Sequence, residues 1–302
     1  MDLRRLRLFL AVVDQGSFTA AAATVHVAQP AVSLAVRELE TELGAPLLVR
    51  SRKGAHLTPA GEALVGPARQ AVRDIENATA AVAAVTGLVA GRLDLASLPT
   101  LAADPVAELV GQFRRAHPGV TVRLGAPADL AELADDVRSG AAELGITEGG
   151  PSNRQLAEVP LGEQELLAVS PPGGPTRAVR LTQLAGMPLV LSPAGTSMRD
   201  VVETALASVG VAADVAVETA QRDALIPLAL AGAGTTFLPS TLARAAGRLG
   251  ATVRPTVPRL RRLLVVVHRP GTLGPAAARF LDLAVSTNEA RPGPAGSRPS
   301  RA

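Results

Sequence analysis

The sequence contains no cysteine, no tryptophan and no tyrosine, and Lys53 is the single lysine among its 30 basic residues. Without cysteine, neither a disulfide framework nor a thiolate metal site can form. Without tryptophan or tyrosine, intrinsic fluorescence cannot report on the protein. No apolar run approaches the roughly 18 uncharged residues needed to span a bilayer. The opening MDLRRLRLFL sets its apolar positions among arginines at helical spacing and does not read as a signal peptide. Together these absences predict a cytoplasmic chain with no membrane partner. The sequence pI of about 10.6 follows from absence too. Little titrates between neutrality and the arginines, and the net charge is only +3. The pI is therefore no argument for a nucleic-acid partner; clustered cations would be.

What is present is ample apolar material, 47% of 302 residues with a mean hydropathy of +0.26, enough for two or three compact domains. Near the N-terminus, Leu6, Phe9, Leu10 and Val13 repeat at i, i+3, i+4, i+7 and predict an amphipathic helix. Ser17 caps a short alanine-rich helix through Val25, and a turn follows at His26 and Val27. In HVAQPAVSLAVRELE (26–40), Val32, Val36, Leu39 and Leu43 form the stripe expected to be buried, and Gly44 ends the helix. Gln29, Ser33 and Arg37 follow at i, i+4, i+8 as a polar ridge, with Pro30 and Leu34 beside it. Ala28 stands where a side-chain cap would serve the helix start. Three short helices exposing small polar groups at the head of the third match a helix-turn-helix. PLLVR, SRKG and AHL (46–57) then read as a hairpin, a wing, with Arg50, Arg52 and Lys53 clustered at its tip. Spacing alone leaves a solvated helical bundle and a solvated charged turn open as alternatives.

The ordered series LRLFLAVVDQGSFTAAA, AQPAVS, LETELG and LLVRSRKGAHLTPAGE resembles the N-terminal domain of LysR-type transcriptional regulators. The resemblance implies a winged helix-turn-helix over 1–58 that reads double-stranded DNA through Gln29, Pro30, Ser33, Leu34, Arg37, Arg50, Arg52 and Lys53. In such a reading Gln29 can pair with adenine and Arg37 with guanine or phosphate, while Leu34 packs on a thymine methyl. It also implies that the helix over 59–87, capped by Thr58 with Pro59 at its first position, is the dimerisation element. Its apolar line is Leu64, Ala68, Ala71, Val72, Ile75 and Val82, and Pro67 in its interior predicts a bend.

After a small-residue hinge at 86–92, strand and helix patterns alternate. RLDLAS, VTVRLG, ELGITE, ELLAVS, PLVLS, VAVET, TTFLP and RLLVVVH are the strands, and helices are expected over 196–209, 223–232 and 274–286. Alternation predicts parallel-rich α/β sheets. By resemblance, 88–287 is a two-lobed effector-binding domain with the fold of periplasmic solute-binding proteins, so the chain as a whole is an α+β multidomain protein. Lobe I is expected over about 88–162 and 269–287 and lobe II over 163–268, with crossings near Gly162–Gln164 and Val267–Pro270. The Pro/Gly/Ser/Arg-rich tail, 288–302, reads as disordered.

Ligands of open α/β sheets bind beyond strand ends, at helix N-termini. The loops SLPT (97–100) and SPAGTS (192–197) fit that rule through Ser97, Thr100, Gly195, Thr196 and Ser197. Serines and threonines before helices are also ordinary caps. By resemblance the two loops line the inter-lobe cleft and hold a small, commonly anionic, effector. Thr147, Glu148 and Phe237 are weaker candidates, and Glu148 is expected to repel a carboxylate. AGAGTT (231–236) lacks the third glycine of a dinucleotide fingerprint and follows a helix. The four histidines, His26, His56, His117 and His268, have no metal spacing, and nothing points to a catalytic set, a metal site or a cofactor. The expectation is an effector-controlled regulator that is not an enzyme, acting as a homodimer or homotetramer, with RNA polymerase as a further partner if it activates. The rival is an α/β solute-binding or enzymatic protein with a helical dimerisation head.

Overall fold

The computed structural model describes residues 1–51, 54–85, 91–149, 155–271 and 273–289. The tip of the expected wing (Arg52, Lys53), most of the hinge (86–90) and the tail from 290 lie outside the described residues.

The head contains helices α1 (Leu3–Gln15), α2 (Phe18–Thr24) and α3 (Gln29–Leu43), then the antiparallel strands β1 (Leu48–Ser51) and β2 (Gly54–Leu57). Asp2 and Ser17 accept from the third backbone N–H of α1 and α2, satisfying donors that a helix start leaves free. Leu6, Phe9, Val12, Val32, Val36, Leu39 and Leu47 make the core that holds the three helices together. Leu43 does not join it. It is the last residue of α3 and is 42% exposed, whereas Leu47, just past the helix, is buried in the core. Glu40 fixes the exit from α3 by accepting from the backbone N–H of both Leu47 and Leu48.

Helix α4 (Pro59–Val85) follows without a break. Thr58 caps it, accepting from Gly61 N at 3.0 Å and donating to the Pro46 carbonyl at 2.6 Å. Val65 and Ala68 enter the head core, and Arg7–Glu76 and Arg69–Asp14 ion pairs hold α1 along the helix. Farther on, Ile75 and Val82 are 50% and 72% exposed.

The remainder is organised by β3 (Gly91–Ser97), α5 (Ala107–Ala116), β4 (Val120–Gly125), α6 (Leu130–Ser139), β5 (Leu144–Glu148), β6 (Ala157–Ser170), β7 (Leu189–Leu191), α7 (Ser197–Ala207), β8 (Val215–Glu218), α8 (Leu225–Leu230), β9 (Thr236–Pro239), α9 (Ser240–Arg248), β10 (Thr252–Arg254), β11 (Leu260–His268) and α10 (Pro275–Glu289). One seven-stranded sheet runs in the order β9-β6-β11-β5-β3-β4, with β10 also on β6. It is mixed rather than parallel-rich. β3 pairs parallel with β4 and β5, as helical crossovers require, and β7 pairs parallel with β8. The chain passes between lobes on two long strands, β6 and β11, which are antiparallel to each other.

β6 starts at Ala157, eight residues before the strand the pattern ELLAVS predicts. Pro160 and Gly162 argue against a strand there, but a register shift at Leu264/Val265 leaves Leu161 unpaired and lets the strand continue as a bulge. The register sets Gly162 opposite Leu264 and Gln164 opposite Arg262. The second crossing therefore lies at Arg262–Leu264, not at Val267–Pro270, which is already inside lobe I. Separate apolar cores form around Leu95, Phe113, Ile146 and Phe280 on one side and around Leu166, Leu191, Val202 and Phe237 on the other.

Candidate functional site

In the head, α2 and α3 are bent by 110° across their short connection, inside the roughly 90–120° of helix-turn-helix pairs. His26 makes the turn with a positive φ of 55°, a conformation histidine tolerates better than most residues. Ala28 supplies no side-chain cap to α3. Pro30, Leu34 and Arg37 are exposed, with Leu34 at 57%, and Gln29 is half-buried. Ser33 is the correction: expected on the outward ridge, it is only 7% exposed. It sits at the border of the Val32/Val36 stripe and accepts a 2.8 Å hydrogen bond from Gln29 Nε2. Ser33 thus orients Gln29 from behind. Arg5 bridges Glu38 and Glu42, each at 3.0 Å, while Arg37 makes no ion pair among the described residues. The outer edge of α3 therefore keeps one uncommitted cation beside an apolar side chain. Arg50 lies on β1 opposite Ala55.

The second constellation gathers where the lobes cross. Arg262 on β11 has a side chain only 1% exposed. Its Nε donates to Gln164 Oε1 on β6 at 2.7 Å, and its Nη1 reaches Thr100 Oγ1 at 3.4 Å and forms an ion pair with Glu148. Gln164 in turn donates to the Asp104 carbonyl at 2.9 Å. From lobe II, Ser197 Oγ at the start of α7 donates to Glu148 Oε1 at 2.7 Å. Glu148 at the end of β5 thus ties the strand crossing and both lobes together. Expected to repel an anion, it has its charge opposed by Arg262. Burial lowers the pKa of Arg262, partly offset by Glu148; burial also lowers that of Arg222, with Arg262 as a second cause. Two atoms here, Arg262 Nη2 and Arg222 Nη1, are buried without a hydrogen-bond partner among the described residues; Thr147 Oγ1 is also buried and unpartnered, but the register of β5 on β11 puts it on the sheet face opposite Glu148. Buried N–H groups left in that way are costly and call for an acceptor.

The structure brings Thr100, Glu148 and Ser197 to this crossing. It does not bring Phe237, which is 1% exposed within the core of lobe II and pairs with Ala168 on β6. Ser97 is fully buried, and its hydroxyl donates to the adjacent Leu98 carbonyl. Thr196 Oγ1 donates to the Pro193 carbonyl at 2.8 Å, a local turn bond, and Gly195 is exposed with φ 79°. Arg262, Gln164 and Arg222 are absent from the sequence expectation. Arg262 was legible: alternation places it on the same face of its strand as Leu260 and Leu264, both buried. A charge in that place asks for a partner.

Two family models match the chain. Residues 3–62 match the bacterial regulatory helix-turn-helix protein, lysR family, and residues 86–288 match the LysR substrate binding domain. The nitrogen assimilation regulatory protein nac of Klebsiella aerogenes is 32% identical over 245 residues, 81% of this chain and 80% of its own. A probable hydrogen peroxide-inducible genes activator of Mycobacterium leprae is 30% identical over 242 residues, 79% and 78% of the two chains. Among solved structures, a full-length OxyR variant of Pseudomonas aeruginosa superposes with a TM-score of 0.76 at 22% identity, covering 96% of this chain and 95% of that one. Full-length CbnR complexed with its target DNA does so with a TM-score of 0.66 at 25% identity, covering 95% and 100%.

Proposed function

The chain belongs to the LysR family of bacterial transcriptional regulators, and from that premise we propose that it reads double-stranded promoter DNA through α3 and the β1–β2 wing under control of a small molecule held between its lobes. The observation that carries the DNA half is the outer edge of α3, where Pro30, Leu34 and Arg37 are exposed and Arg37 is unpaired among the described residues. Gln29 contacts a base edge while Ser33 holds it in place, Leu34 packs on an apolar base edge such as a thymine methyl, and Arg37 takes a phosphate or guanine. Arg50 contributes from the wing, with Arg52 and Lys53 beyond it in sequence. The relative CbnR is known in complex with its target DNA, which favours the same use of this head.

For the effector, the support is the unpaired N–H of Arg262 and Arg222 at the crossing that also holds Thr100 and Ser197. We read these as the anchor for an acceptor group on the ligand, one that replaces or joins Glu148 at the start of α7. A ligand that binds open and closed lobes with different affinity shifts the spacing of paired heads. The exposed Ile75 and Val82 of α4 meet their copies in a homodimer, and two dimers make the tetramer. Some relatives are peroxide-inducible gene activators; with no cysteine, a thiol-oxidation response is closed to this chain.

The test is anisotropy of end-labelled DNA from upstream of the gene, titrated at several salt concentrations. Binding should fall steeply with salt, Arg37→Ala should reduce the salt slope by about 1, and Leu34→Arg should change the preferred site. Salt-insensitive binding, or both variants behaving as wild type, would overturn the reading.

A further inference from the structure

Two glycines far apart in sequence bring the wing against the turn between α1 and α2. Gly16 ends α1 in the left-handed conformation with φ 61°, and Ser17 caps α2 at the next position, so one residue separates the two caps from overlap. The Gly16 carbonyl accepts the Ala55 N–H of β2 at 2.8 Å. Ala55 stands opposite Arg50 in the hairpin. N–H groups along an antiparallel strand alternate between facing the partner strand and facing away. At this pair the Ala55 donor faces away from β1 and toward the helices.

The contact depends on what residue 54 lacks. A Cβ built on Gly54 would lie 2.5 Å from the Gly16 carbonyl oxygen, and Gly54 has φ 124°, which residues with a side chain rarely adopt. The oxygen belongs to backbone held between two helix ends, so it cannot turn aside. Relieving the clash to the 3.4 Å of an ordinary contact moves the strand and the turn apart by close to an ångström. That stretches the 2.8 Å bond beyond the roughly 3.2 Å at which N–H···O bonds end. Leu48, Ala55 and Leu57 pack on the head core and hold the base of the hairpin, but apolar packing is non-directional. Ser51 Oγ donates to the Gly54 carbonyl at 3.3 Å and meets His56 Nε2 at 3.1 Å. Both of these bonds stay within the hairpin and leave its angle to the helices free.

We propose that Gly54 is a positioning residue of the DNA interface. Having no side chain, it lets β2 bond to the Gly16 carbonyl, and that bond fixes the strand pair carrying Arg50 relative to α2 and α3. The proposal rests on the reading of the wing as a DNA contact. Binding groups must be held to about 0.5 Å, so the shift that a side chain at position 54 forces is enough to take the wing off the DNA.

The experiment is anisotropy of labelled upstream DNA at several salt concentrations, with calorimetric melts, for the full chain as wild type, Arg50→Ala, Gly54→Ala and the double variant. Arg50→Ala should lower the salt slope by about 1. Gly54→Ala should lower it by at least as much, and adding Arg50→Ala to it should change the slope no further. Leu6→Val trims a buried residue of the head core; it should lower Tm and keep the wild-type slope, which separates positioning from loss of stability. If Gly54→Ala does not fold, hydrogen exchange at the Ala55 amide of wild type takes its place. That amide should be protected in the free protein and exchange more slowly still with DNA bound. A wild-type slope in Gly54→Ala, full additivity with Arg50→Ala, a slope that falls in Leu6→Val as well, or an Ala55 amide exchanging like a free strand edge would overturn the proposal. If Arg50→Ala leaves the slope unchanged, the wing does not contact DNA and the proposal falls with that reading; an effect of Arg50→Ala without one of Gly54→Ala overturns the role of Gly54 alone.

Discussion

Glu148→Gln removes one partner of the buried pair at the lobe crossing while keeping shape and one acceptor. In wild type the Arg262 and Glu148 side chains are 1% and 8% exposed, so water cannot replace the lost charge. Breaking a pair this deep costs about 3–5 kcal/mol, because the surviving charge stays buried. Arg262 keeps its bonds to Gln164 and Thr100, which sets the expectation near the lower end, about 3 kcal/mol. For a domain of some 200 residues that is a fall in Tm of about 6–12 °C. Calorimetry of Glu148→Met, Arg262→Met and the double variant reads the coupling directly. The double variant should be more stable than either single, since no charge is then left without a partner. Single variants within about 2 °C of wild type, or effects that simply add, would refute the argument that this pair is a buried unit.

Two further outcomes follow from local packing and charge. A Cβ on Gly61 would lie 2.1 Å from the Leu47 backbone oxygen, which cannot move aside, whereas one on Gly66 would meet nothing closer than 3.9 Å. In thermal melts followed by circular dichroism, Gly61→Ala should therefore destabilise the head by about 1–3 kcal/mol or more, and Gly66→Ala should stabilise α4 by up to about 1 kcal/mol. Burial, then Glu132, raises the pKa of half-buried Asp136 on α6 above its ordinary 3.8. A carboxyl whose pKa is higher folded than unfolded contributes a penalty absent below the unfolded value, which appears as pH rises through the folded one. Asp136→Asn should match wild type below pH 3.8 and exceed its stability at neutral pH in chemical denaturation; the opposite order would show that attraction to Arg69 dominates.

The elements carried by local rules are legible in the order of residues alone. Ser17, Thr58 and Gly44 mark their helix ends, α1 to α3 and the hairpin are spaced as a helix-turn-helix requires, and the alternation after 91 locates most strands. These depend on residues a few positions apart, where period and capping chemistry decide. Local rules mislead where a distant element intervenes. Ser33 has the spacing of a surface ridge, but its position beside Val32 and Val36 turns it inward. Phe237 follows a loop of the right kind, but its strand faces the lobe II core. Pro160 and Gly162 disguise half of β6, because a bulge opposite Leu264/Val265 is a property of the pairing and not of the segment.

By itself the sequence determined the family, the winged head, the capped linker helix and the apolar faces, since each is written in neighbours one or two turns apart. Only the tertiary structure decided which polar groups share a buried site. Glu148 meets Arg262 across 114 positions and Ser197 across 49, and Arg269 meets Gln70 across 199. The registers of β11 on β5 and β6, and the seating of α4 on lobe I, set those meetings. A charge placed on an inward face tells that a partner is needed; which residue answers depends on how the sheet closes.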